Sequence, residues 1–98
     1  MDTERISKNE ERLDKMSLCV KNLEKALEDF KVCRKELACL NRYYGSKAWF
    51  KDKEDFEKEE KHSIKAGVLG EDAVWNLNDD IDELLKDMKK IVKDYNKK

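Results

Sequence analysis

The large apolar residues Ile6, Leu13, Met16, Val20, Leu23, Leu27 and Phe30 alternate three and four apart after a first gap of seven. Such a heptad seam belongs to one long amphipathic helix. Beyond Phe30 a strict heptad reaches Arg34, whereas the apolar stripe continues through Cys33, Leu37, Leu40 and Tyr44. This three-residue slip changes the winding locally and predicts a bend or a change of packing partner near Cys33. Asp2 or Thr3 can cap the start, with Glu4 in the first turn, and Gly45 can supply the left-handed residue that ends the helix. The first helix is therefore expected over 3–44, on the order of 60 Å long.

Ser46 is a good cap for a short second helix over 46–58 that carries Trp49, Phe50 and Phe56, and whose charged end, Glu57-Lys58-Glu59-Glu60-Lys61, has almost nothing to bury. Gly67 and Gly70 bracket Val68-Leu69, which predicts a turn within 62–70 that docks two apolar residues. The last helix is expected over 71–95, with Glu71 and Asp72 in its first turn and Lys89, Lys90 and Lys93 near its end, each sign matched to the helix dipole. Its stripe is Val74, Leu77, Ile81, Leu84, Leu85, Met88, Ile91, Val92 and Tyr95.

The chain of 98 residues holds no proline and three glycines, with 46% charged and 39% apolar residues, a balance that suits solvated helices and a single domain. The expected fold is all-α: two long antiparallel helices forming a coiled-coil-like hairpin, with a short connecting helix, in a three-helix bundle. The first helix outruns the last, which leaves part of its seam uncovered, and a homodimer is the preferred way to cover it.

No catalytic, cofactor or metal site is expected. Cys19, Cys33 and Cys39 are odd in number and fall mid-helix among apolar neighbours, where buried or half-buried thiols are expected rather than a nucleophile working with the lone His62. Cys19 and Cys33 would stand about 21 Å apart along one helix, and Cys33 and Cys39 point to different faces, so neither pair can share an ion. The acidic run Asn76–Glu83 has Ile81 where a calcium loop needs glycine. Asp72, Asp79, Asp80, Glu83 and Asp87 are then the solvated back of a helix. Lys86, Lys89, Lys90, Lys93 and Lys97 form a basic stripe, but 22 basic against 23 acidic residues give no global field. Contact with nucleic acid is accordingly not expected. No apolar run approaches a membrane span, and the polar Met1-Asp2-Thr3-Glu4 is unlike a signal peptide, so the expected address is the cytoplasm.

The aromatic residues Tyr43, Tyr44, Trp49, Phe50 and Trp75 gather near two turns that a hairpin brings together. They read either as a plug for an open bundle end or as a protein-recognition patch. Around them, Tyr43-Tyr44-Gly45-Ser46-Lys47-Ala48-Trp49-Phe50-Lys51-Asp52 and Gly67-Val68-Leu69-Gly70-Glu71-Asp72-Ala73-Val74-Trp75-Asn76-Leu77 look like a family of small bacterial proteins, mainly from low-GC Gram-positive bacteria, known as a domain of unknown function. The chain resembles that family over nearly its full length, through a YYGSxxWxxD element and a GVLSED element, and departs from it at Gly70 and at His62-Ser63. The resemblance implies a helical protein of about this size and brings no activity. The expected function is that of a protein–protein interaction and oligomerisation module, not an enzyme. The alternative is a small inhibitor or regulator of a larger enzyme, encoded by a mobile element and directed at nucleic-acid machinery.

Overall fold

In the computed structural model, which describes residues 1–97, the chain is all-helical. Helix α1 runs Thr3–Tyr43, α2 runs Lys47–Lys58 and α3 runs Ala73–Asn96, with a 3-10 turn at Gly67–Leu69 and no strand among the described residues. The contacts divide the chain into a unit Met1–Leu37 and a second unit from Ala38 onward.

The first unit is a single stretch of α1. Asp2 starts it, its carboxylate accepting a hydrogen bond from the Arg5 amide at 3.0 Å. From Met1 through Glu36 every residue is exposed, and Leu37 is the first to become half-buried. Its side chains meet mainly along the helix surface, as in the ion pairs Lys25–Asp29 at 2.9 Å and Lys8–Glu11 at 3.6 Å.

The second unit holds the small core. Gly45 adopts φ +77°, a left-handed conformation that an L side chain resists and that lets the chain leave α1. Ser46 follows as the cap of α2, its hydroxyl accepting from the Trp49 amide at 3.2 Å. On α2 the spacing of four and three puts Trp49, Lys53 and Phe56 on one face, and these are the residues that lose solvent. Opposite them Gly67–Leu69 docks Leu69 and Val68, the former buried and the latter half-buried. On α3 the same logic selects Val74, buried, with Asn78 and Ile81 half-buried. Trp49, Leu69 and Val74 are the buried apolar residues.

Three expectations need correcting. The thiols of Cys19, Cys33 and Cys39 are exposed, because the stripe they flank on α1 is not covered and Cys39 turns outward to receive a hydrogen bond from Arg42 at 3.1 Å. The last helix begins at Ala73, so Glu71 and Asp72 precede it, and Asp72, with φ −98° and ψ −26°, makes no side-chain cap. The lower stripe of α3 is exposed from Leu84 onward, so the regular spacing there marks a face without marking a core.

Candidate functional site

Two surfaces stand out, one in each unit. In the first, Ile6, Leu13, Met16, Val20, Leu23, Leu27 and Phe30 stand 38–61% exposed along one edge of α1. Contiguous apolar patches larger than a few hundred Å² are rare on soluble monomers.

In the second unit the aromatic residues part into two sets. Trp49 is the centre of the enclosed set, 4% exposed, and its ring nitrogen donates to the Val68 carbonyl at 2.9 Å. Tyr44 meets it edge-on, ring centres 5.3 Å apart, and its hydroxyl donates to the Glu71 carbonyl. The Lys53 ammonium lies over the same indole, 5.2 Å from the ring centre and 3.2 Å from Glu71. Tyr43 donates to Asp52 at 2.7 Å, and that carboxylate, with desolvation second, raises the phenol above its ordinary pKa. Tyr43, Tyr44 and Trp49 thus tie the end of α1 to α2 and the 3-10 turn. Phe50 and Trp75 instead remain 60% exposed each, although Phe50 touches Trp49 edge-on at 4.9 Å. Each sits one residue past a buried one, and a single step rotates about 100° around a helix.

Sequence reasoning missed a second tie. The Asn41 and Asn78 amides exchange hydrogen bonds at 3.2 and 2.9 Å, and Asn78 also donates to the Val74 carbonyl at 2.9 Å. The signal was present, since Asn41 lies four past Leu37 and Asn78 four past Val74, each on an apolar face.

A cleft of about 430 Å³ opens between α2 and the segment after it, lined by Tyr43, Asp52, Asp55, Phe56, Glu59 and Leu69 among others. Its acids are partly engaged: Asp52 accepts from Tyr43, and Asp55 pairs with Lys51 at 2.8 Å, which lowers the Asp55 pKa. His62 stacks on Phe56 with ring centres 3.6 Å apart, its Nδ1 3.9 Å from Glu59. Among the described residues no group of three or more His, Cys, Asp or Glu side chains could hold a metal ion, and no helix is long and apolar enough to cross a membrane.

No curated protein and no solved structure matches the chain. A family model described as Domain of unknown function (DUF4298) matches residues 6–97. That match runs from the first seam residue, Ile6, to Lys97, and the protein belongs to the DUF4298 family.

Proposed function

We propose that this chain is a protein–protein interaction and oligomerisation module without catalytic activity, in which two copies associate along the α1 seam. The observation that carries this reading is the strip from Ile6 to Phe30, exposed over its whole length in the single chain. A helix of this length draws most of its stability from packing an amphipathic face, while surface ion pairs such as Lys25–Asp29 contribute only about 0.2–0.5 kcal/mol each. Covering the strip with a second chain supplies that packing. A cytoplasmic address belongs to the same reading.

Light scattering on the full chain tests it. The expected mass is twice the 11.6 kDa of one chain. A monodisperse single chain at high concentration overturns self-association.

A second reading, a small regulator docked on a larger protein, draws on Phe50 and Trp75 as exposed aromatic anchors. Its test is capture of a partner by the wild-type chain that is lost with Phe50→Ala and Trp75→Ala. Equal capture by the variants removes the support for this second reading.

A further inference from the structure

We infer that the occupant of the α1 seam is a second copy of this chain lying parallel and in register, a geometry that rests on the self-association reading above. With Ile6 at heptad position a, Leu13, Val20 and Leu27 are also a, while Asn9, Met16, Leu23 and Phe30 are d, and all are exposed. Taking roughly 90 Å² for each half-exposed apolar side chain, the seam offers on the order of 600 Å² per copy, and the stems of flanking residues bring it near the about 800 Å² per partner of a specific interface.

The flanking positions choose the direction. A parallel pair brings each g residue to the e residue of the next heptad on the partner, whereas an antiparallel pair brings e to e and g to g. In parallel register Arg5 meets Glu10, twice by symmetry, and the other flanking pairs, Arg12 with Ser17, Cys19 with Glu24 and Ala26 with Lys31, contain no like charges. The antiparallel register that fills the apolar layers, with Ile6 opposite Phe30, sets Glu10 beside Glu24 and Asn9 against Leu27. The next antiparallel register removes that repulsion. It does so by drawing Arg34 into the seam and stacking Ile6 on Leu37, which is already half-buried in its own chain.

Asn9 points the same way. In the single chain its amide donates to the Arg5 carbonyl at 2.9 Å and accepts from Arg12 at 3.2 Å. In the parallel pair the two Asn9 amides face each other and can hydrogen-bond, whereas either antiparallel register sets Asn9 against Leu27 or Arg34. Parallel pairing also makes both chains leave the seam at the same end.

Cysteine cross-linking on the full chain tests the direction. In a background with Cys19, Cys33 and Cys39 changed to serine, Ile6→Cys and Phe30→Cys are made separately. Each variant alone is expected to form a disulfide-linked dimer on mild oxidation, and a mixture of the two is expected to give no mixed species. A mixed species without self-linked ones overturns the parallel arrangement and leaves self-association standing. A dimer by sedimentation that links in neither way also overturns the parallel, in-register arrangement, and a monomer overturns both readings. As a second variant, Glu10→Lys is expected to weaken association about fivefold, with Arg5→Glu added to it restoring the wild-type value. No change with Glu10→Lys contradicts the Arg5–Glu10 contact.

Discussion

The two units carry the same three-and-four spacing of apolar residues, yet only the second covers any of its apolar side chains fully. Before Leu37 the stripe from Ile6 to Phe30 is bare along its length, while beyond it Trp49, Leu69 and Val74 are closed off from water. The difference lies in what stands opposite. In the second unit a tight turn at Gly45, a capped α2 and the 3-10 turn reverse the chain, and each buried side chain comes from a different element. In the first unit there is only helix. An amphipathic period therefore fixes which residues share a face, and chain reversal decides whether that face is covered from within.

The contrast between the units breaks most readily at Trp49. Trp49→Ala removes the centre of a core with few other members, and a loss of about 3–5 kcal/mol is expected. The thermal transition of the second unit, followed by Trp75 fluorescence, should largely disappear. A transition that barely moves would mean that other contacts hold this unit. At the other surface, Leu23→Asp places a charge in the middle of the exposed seam, where a second chain would have to desolvate it. Association should weaken by about 3 kcal/mol, more than a hundredfold, with the melting of the second unit unchanged. Sedimentation equilibrium reads the first effect and calorimetry the second.

Smaller effects sharpen the boundary between the units. Asn78→Ala breaks the amide exchange with Asn41 and should cost about 1–2 kcal/mol, and in a double-mutant cycle Asn41→Ala should add little once Asn78 is gone. Full additivity would deny the contact. Ser46→Ala removes the cap of α2 and should cost about 1 kcal/mol in denaturant unfolding. The smallest effect is a pH dependence. Because Asp52 and partial desolvation raise the Tyr43 phenol, its contribution is fully present below the unfolded phenol pKa of about 10 and is lost as pH rises through the higher native value. Tyr43→Phe should flatten stability in that window, and absorbance titration should show one tyrosine ionising late. A late-ionising phenol that survives Tyr43→Phe would contradict the Tyr43–Asp52 bond.

Much of this architecture was legible in the residues because it depends on local chemistry. Gly45, Ser46 and the Val68-Leu69 pair each act through their own backbone or nearest neighbours, so the end of α1, the cap of α2 and the docked turn could be read directly. Burial could not, since it depends on which elements meet. The thiols of Cys19 and Cys33 were expected inside a covered stripe and lie beside an open one. Among the aromatics, type and proximity along the chain grouped five residues, whereas one step of helix rotation separates Trp49 from Phe50 and Val74 from Trp75. For the α2 pair, the spacing of seven that puts Trp49 and Phe56 on one face is the signal that separates Trp49 from Phe50. The Asn41–Asn78 exchange depends on the fold, because an amide on an apolar face is satisfied only when its partner stands opposite.

The central claim is that the α1 seam is covered by another chain. Hydrogen exchange resolved along the sequence and repeated over a range of protein concentrations tests it most directly. Amides from Ile6 to Phe30 should gain protection as concentration rises, while those around Trp49, Leu69 and Val74 should be protected at every concentration. Exchange along Ile6–Phe30 that does not change with concentration would contradict it.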